Sequence, residues 1–418
     1  MNSRDRKLWS VSAAVFIGTL VAIYMVSQFL RNSVGVIAPN LAGDLGLSAA
    51  EIGLLSSAFF FAFAAVQLPL GMALDRFGPR LVLLVCAGIT VVGAILFASA
   101  TTTTGLVVAR ILLGLGCSSS FMAPLALYAK RFPPDRFATL TGLQLGLGTI
   151  GTLFATAPLA YAAAEIGWRA TFMVVGGLTL LAGVLVAIVV ADDKPDGSAN
   201  PAHESFRQSV AGLLAVLRTP SVGRLFLMHM TGYSTFALVV GLWGAPYLTH
   251  IYGYGLEARG ELLLLPAIAQ IVGSLLWGPM DRVLDSYKRP VLLGAGLTAL
   301  TLLVVAYFGT LSFAGLLAWL VAFGFLSAYT PVKIAHGKSL FPPHLVGRGI
   351  TLLNMGTMGG VFLSQALTGA VIDLFPRVNG AYPLDAYRAV FALQAAALLG
   401  ASLFYCRSRD PRRQVSLG

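Results

Sequence analysis

The sequence predicts an all-α integral membrane protein, with twelve transmembrane helices arranged as two pseudo-symmetric six-helix bundles. Three observations carry that expectation. The 418 residues are 57% hydrophobic and only 11% charged, with a mean hydropathy of +0.82, whereas soluble domains carry roughly 25% charged residues. Apolar runs long enough to cross a bilayer recur twelve times along the chain. The second half also repeats the punctuation of the first. Ala38-Pro39-Asn40-Leu41 returns as Ala245-Pro246-Tyr247-Leu248, Asp75-Arg76 as Asp281-Arg282, Arg80 with its apolar run as Arg289, and Phe132-Pro133-Pro134 as Phe341-Pro342-Pro343, at offsets of 207, 206, 209 and 209 residues. A displacement this constant marks an internal duplication.

The expected spans, numbered in chain order, are 10–38, 52–73, 81–100, 105–128, 138–163 and 170–190, then 223–248, 260–280, 289–309, 312–334, 348–374 and 386–406. Six fall in each half, which divides the chain into a first bundle over 1–191, a linker over 192–220 and a second bundle over 221–418. The linker opens with Asp192-Asp193-Lys194-Pro195-Asp196 and becomes amphipathic from His203 to Leu217, a pattern suited to a tether lying at the membrane surface. The charged start, Met1 to Lys7, runs into a span too long for a signal-peptide core and reads as a retained first helix. Cys86 and Cys117 fall inside spans and Cys406 at the end of the last, so no disulfide framework is expected.

Charge placement sets the expected orientation. With the N-terminus in the cytoplasm, 22 of the 28 Lys and Arg residues occupy the cytoplasmic loops and tails, leaving Arg31, Arg110, Arg169, Arg259, Arg377 and Arg388 embedded or outside. This is the positive-inside pattern, and it predicts an inner-membrane, multi-pass protein with both termini cytoplasmic. It also removes nucleic acid as the explanation of the basic surplus.

Between spans 2 and 3, Gly71-Met72-Ala73-Leu74-Asp75-Arg76-Phe77-Gly78-Pro79-Arg80 fits G-x-x-x-D-R-x-G-x-R and resembles the signature loop of the major facilitator superfamily. The 6+6 repeat, the degenerate second copy with Asp281 and Arg282, and Gly167-Trp168-Arg169 before span 6 extend that resemblance over the chain. It implies a secondary transporter working by alternating access, without ATP or a cofactor, and monomeric by family habit. In physical terms, Gly71 lets span 2 press on a neighbour, Asp75 suits the positive N-terminus of a helix such as span 11 near Gly347, and Arg76 and Arg80 suit carboxylates or helix C-terminal carbonyls. Gly71, Asp75, Arg76, Gly78, Arg80, Asp281 and Arg282 are therefore candidate gating residues. Arg110-Ile111-Leu112-Leu113-Gly114-Leu115-Gly116 is similar to the family's R-x-x-x-G-x-G element of span 4, which is associated there with proton-driven antiport and makes Arg110 a further gating candidate. The Gly-Pro pair that accompanies it in drug antiporters is missing, since Pro158 follows Ala157.

Candidate binding residues come from polar groups in apolar spans. Tyr24, Gln28 and Arg31 fall on one face of span 1 with Asn32 beside them. Arg31 stands eight residues before Pro39, about 12 Å along the helix. An arginine at mid-span costs roughly 2.5–3.5 kcal/mol and needs a cavity or a partner. No acid lies near it in the sequence, so either the missing negative charge arrives with the substrate or Arg31 is a structural hydrogen-bond donor to helix carbonyls. In the second half His229 and Tyr233 are one turn apart, with Trp243 further along span 7, while Gln144 and Asn354 occupy matching places in spans 5 and 11. Met228 and Met230 flank His229, but adjacent helical residues point to different sides and make a metal site a poor reading. Lys333, His336 and Lys338 end span 10 and are expected to snorkel toward the cytoplasm.

No phosphate-cradling loop, metal cluster or nucleophile elbow supports an enzyme. The sequence predicts a transporter of a small, anionic organic solute, with the bilayer, the substrate and a proton or exchanged solute as its partners. The rival readings are proton-coupled efflux of drug-like or metabolic compounds, and a non-transporting solute sensor.

Overall fold

The structure is a computed structural model that describes residues 11–133, 136–190, 211, 212, 214, 216, 218–341 and 346–410. Helices account for nearly all of it. Span 1 is Val11–Leu45, span 2 Ala49–Phe77 and span 3 Pro79–Ser99; span 4 joins Thr103–Cys117 to Ser119–Arg131. Span 7 runs through Val222–Leu238, a π-helical stretch Val239–Trp243, and Gly244–Tyr252. Span 8 is Leu256–Trp277, span 9 Lys288–Phe308, span 10 Phe313–Leu326 with Thr330–Leu340, span 11 Val346–Asp373 and span 12 Leu384–Tyr405.

Among the described residues, eleven helices are long and apolar enough to cross a membrane. The twelfth crossing is span 5, which the sequence marks as one run but which the backbone divides. Phe137–Phe154 ends at a break near Thr156 (φ −108°, ψ −113°), and the crossing is completed by 157–166. Gly167, at φ +78°, turns the chain into span 6. Only glycine takes that conformation without strain.

Span 1 also outruns its expected end at residue 38, passing through Pro39 to Leu45. Its last turn is held from outside: Asp44 accepts a hydrogen bond from Trp168 Nε1 at 2.7 Å and pairs with Arg169 at 3.6 Å. That contact gives the Gly167-Trp168-Arg169 sequence its local purpose.

The first six and last six spans meet along three crossings: span 2 on span 11, span 5 on span 8, and span 1 on the π-helical part of span 7. The first two exchange under the repeat and the third maps onto itself, as duplication requires. Each crossing is built on glycine. A Cβ on Gly53 would stand 2.7 Å from Gln365 O and 2.9 Å from Gly369 Cα; one on Gly260 would meet Ala157 Cα at 3.2 Å; one on Gly35 would lie 2.6 Å from Gly241 C and 2.7 Å from Val240 O. These crossings lie toward the distal end, which carries the turns at Gly46 and Gly253, away from the proximal end where span 1 begins and span 12 finishes.

Hydrogen bonds join the halves at the same distal end. Arg259 of span 8, 3% exposed, donates to Val36 O at 3.0 Å and to Asn40 Oδ1. Arg377 donates to Leu47 O at 2.6 Å, Ala49 N to Tyr382 Oη at 2.9 Å, and Tyr161 to Glu261. At the proximal end of span 5 a cleft of about 360 Å³ is lined by Arg136, Leu140, Leu143 and Leu147.

Most of the amphipathic linker stretch lies outside the described residues. Where it is seen, Val216 is buried, Leu214 exposed, and Gly212 lies against the Arg348 guanidinium at the start of span 11. The proximal end of the last six spans has its own cap. Asp410 accepts from Ser286 Oγ at 2.5 Å and from the backbone N–H groups of Tyr287 and Lys288 at 3.3 Å, satisfying donors where span 9 begins.

Two predictions follow from these contacts. A Gly35→Ala side chain meets main-chain atoms that cannot turn aside, and overpacking of this kind costs about 1–3 kcal/mol. Spin labels at Ser99 and Thr310 should report a larger separation, with unchanged distances ruling out this crossing as what holds the distal end shut. Burial pushes the Asp410 carboxyl up, but hydrogen bonds from Ser286, Lys288 N and Tyr287 N outweigh it and hold the group below its ordinary range. Its stabilisation is present above the unfolded value near ~3.9 and fades as pH falls through the lower folded value. Asp410→Asn should lower the Tm at pH 7, with the gap to wild type closing below about pH 4.

Candidate functional site

Tyr24, Gln28, Arg31 and Asn32 lie on span 1 with relative exposures of 6%, 8%, 8% and 2%. Asn32 Nδ2 donates to Gln28 O at 2.9 Å and to Thr152 Oγ1 at 3.4 Å. Its own Oδ1, Gln28 Oε1 and Arg31 Nε have no hydrogen-bond partner. The Arg31 guanidinium lies 4.9 Å above the centroid of Phe63 on span 2. A cation–π contact of this kind returns roughly 0.5–2 kcal/mol, well short of the solvation lost by a buried ion. Spans 1 and 7 meet beside this stripe, where a Cβ on Gly241 would stand 3.5 Å from Asn32 Oδ1.

The other five cations that the sequence leaves embedded or outside all find a protein oxygen. Arg110 Nη1 donates to Leu30 O at 2.7 Å, Arg169 pairs with Asp44, and Arg259 and Arg377 bridge the halves. Arg388 donates to Ala306 O at 2.8 Å and to Asp385 at 3.3 Å. Among these six, Arg31 alone has no acceptor in the described residues.

The R-x-x-x-G-x-G element is a clasp between helices. Arg110 is fully buried, lies 4.7 Å over the Phe59 ring and ties span 4 to the span 1 carbonyl beside Arg31. A Cβ on Gly114 would strike Phe59 O, and one on Gly116 would stand 2.7 Å from Cys86 O. Span 4 thereby seats against spans 2 and 3, and Arg110 supports Arg31 from behind.

The signature loop differs from its sequence reading in one respect. Gly71 faces open space, with nothing within 4 Å of a Cβ placed there, so it does not press span 2 on a neighbour in this conformation. Gly142, Gly146 and Gly359 are equally free, whereas Gly148 meets the Tyr24 ring and Gly360 the backbone of Met230. Small-residue spacing alone does not say which face of a helix is covered. Asp75 and Arg76 are exposed, Arg76 lying 5.3 Å from the Phe77 ring centroid. Gly78 turns the loop at φ +79°, and Arg80 Nη2 donates to Ala187 O near the end of span 6 at 2.8 Å. In the second copy Asp281 is buried and Arg282 exposed.

Gln144 is engaged within the first six spans, accepting from Tyr128 Oη at 2.7 Å and donating to Leu20 O at 3.1 Å. Trp243 Nε1 donates to Thr368 Oγ1 at 2.9 Å near the distal end. Both therefore brace helices, and the repeat's matching residue Asn354 is half-buried. His229 Nδ1 meets Thr357 Oγ1 at 3.2 Å, and Tyr233 is half-buried at the seam.

Lys333 and His336 correct the expectation of snorkelling. Lys333 is fully buried, its Nζ without a hydrogen-bond partner and 5.2 Å from the Tyr329 ring centroid. His336 is buried between Tyr405 Oη at 2.6 Å and Arg409 O at 2.9 Å. Only Lys338 is exposed. The reason is the break at Ser327–Tyr329, after which Thr330–Leu340 turns Lys333 inward against span 7. Nothing in the sequence registers that rotation, though the i, i+4 spacing of Tyr329 and Lys333 is its one trace.

Residues 20–265 and 225–417 match the family described as Major Facilitator Superfamily. The chain is 29% identical over 287 residues to "Probable sulfoacetate transporter SauU" of Cupriavidus necator, a stretch covering 66% of this chain and 66%, just under two thirds, of that one. It is 24% identical over 396 residues, 88% of its length and 90% of the relative's, to the hexuronate transporter of Bacillus subtilis. Among solved structures, a bacterial homolog of the human lysosomal transporter Spinster, inward-facing and unoccupied, aligns with a TM-score of 0.77 at 19% identity over 94% of this chain and 96% of that one. That likeness is one of fold. With the family match running from span 1 into the tail after span 12, the chain belongs to the Major Facilitator Superfamily.

Proposed function

We propose that this secondary transporter carries a small organic anion across an inner membrane by alternating access, with Arg31 holding the anion between the two sets of six spans. The observation that supports it is the buried guanidinium with no counter-ion. A charge desolvated in this way is stable when a carboxylate or sulfonate engages its fork through paired charge-assisted hydrogen bonds. Gln28 and Asn32 supply further polar atoms on the same helix. The two relatives are named for sulfoacetate and hexuronate, both organic anions, which favours the same substrate class.

The bonds of Arg259 and Arg377 close the distal end, so exchange of states requires them to part while contacts form proximally. Asp75, Arg76 and Arg80 at the proximal end of spans 2 and 3, with Asp281 and Arg282 in the repeat, are the residues we assign to that second set. The charge asymmetry of the sequence supports placing the proximal end in the cytoplasm.

Arg31→Gln is the decisive substitution. In proteoliposomes, counterflow of D-glucuronate should fall roughly 10- to 100-fold, the worth of one charge-assisted pair. D-glucuronate should also raise the Tm of the purified wild type and not of the variant. Full counterflow by the variant removes Arg31 from the site. A wild type that exports hydrophobic cations and ignores organic anions favours efflux, and ligand binding without any counterflow favours a sensor.

A further inference from the structure

We infer that the second six spans hold a separate anion subsite, built by Lys333 and Tyr329 behind Gly232, and that the cargo is accordingly a dianion with two acidic heads. The inference rests on the anion reading above and deepens it. Lys333 Nζ and Tyr329 Oη are both buried and both lack a hydrogen-bond partner. They converge on one place: Tyr329 Oη lies 3.2 Å from the point a Cβ on Gly232 would occupy, and the Lys333 ammonium lies closer still. Two buried donors that lie close to one point, both unpaired among the described residues, describe a site for an acceptor, because buried donors are ordinarily paired.

No carboxylate of spans 7, 10 or 11 supplies that acceptor. The stretches 222–248, 312–334 and 348–372, which form the bodies of spans 7, 10 and 11, contain no Asp or Glu. His229, one turn before Gly232, does not fill the role of a third donor. Thr357 Oγ1 gives its proton to Leu353 O at 2.9 Å, so towards His229 it accepts, and the neutral ring keeps its hydrogen on Nδ1 and a lone pair on Nε2. No carboxylate in these three spans balances an ammonium at Lys333.

The two cationic centres belong to opposite halves, Arg31 to span 1 and Lys333 to span 10. Span 7, whose Gly232 covers Lys333, meets span 1 beside Arg31, where a Cβ on Gly241 would stand 3.5 Å from Asn32 Oδ1. A cargo with one acidic group neutralises one centre and leaves the other ion desolvated. A cargo with two neutralises both, and in doing so ties span 1 to span 10 across the seam. Lys333 is enclosed in the present conformation, so the second head reaches it when span 7 shifts at Gly232, where no side chain blocks the flexible ammonium.

Matched six-carbon probes test this: D-glucuronate, with one carboxylate, and D-glucarate, with two. Wild-type proteoliposomes should prefer D-glucarate in counterflow, and Lys333→Gln should reduce that preference roughly tenfold or more, as loss of one charge-assisted contact does. Gly232→Ala, which pushes the ammonium aside without removing it, should shift the preference the same way and keeps the test open if the lysine variant does not fold. Arg31→Gln should depress both probes. If wild type carries D-glucuronate and not D-glucarate, or if both span 7 and span 10 variants leave the ratio unchanged, the second subsite is wrong while the anion reading stands. If wild type carries neither probe, both fall together.

Discussion

Main chain resting on main chain at the crossings of spans 1 and 7, 2 and 11, and 5 and 8 is the contact on which the rest of this molecule depends. Lipid gives helices no hydrophobic drive to associate, so dispersion and close approach must do the work that water does for a soluble core. Gly35 against Gly241 and Gly53 against Gly369 allow that approach. At these glycines no side chain stands between the two backbones. The directional contacts are a few hydrogen bonds at the distal rim, from Arg259, Arg377, Ala49 and Tyr161. A seam made this way is tight in one state and separable in the next.

Charge in the interior divides along the same line. Arg110 and Arg259 are as deeply buried as Arg31, yet each has carbonyl or amide oxygens within hydrogen-bond distance and serves to join helices. Arg31 and Lys333 have aromatic faces and no acceptor. Burial by itself therefore does not distinguish a structural cation from a ligand-binding one. The presence or absence of an oxygen does. Under the proposed function, an unmet cation destabilises the empty protein, and that penalty favours the binding of an arriving anion.

Much of this was legible in the residues. Twelve crossings, the duplication and the loop between spans 2 and 3 follow from apolar run length and from the constant offset of repeated marks. Arg31 was legible for the same reason: an arginine about 12 Å inside an apolar run is conspicuous because the bilayer makes it costly. Gln144 and Trp243 were conspicuous on identical grounds and turned out to brace neighbouring helices through Leu20 O, Tyr128 and Thr368. Polarity within a span says that a partner is needed, and leaves open whether protein or solute provides it.

By itself, the sequence determined topology, repeat and family, because these depend on hydrophobic length and on residue order, which are one-dimensional quantities. Only the tertiary structure decided which polar groups are satisfied. Lys333 belongs to a helix restarted at Thr330, and its inward turn toward Gly232 is a matter of rotation about an axis, which apolar runs do not encode. Arg31 remained the unmatched cation only after the oxygens around Arg110, Arg169, Arg259, Arg377 and Arg388 had been located, since a vacancy is defined by neighbours that come from distant parts of the chain.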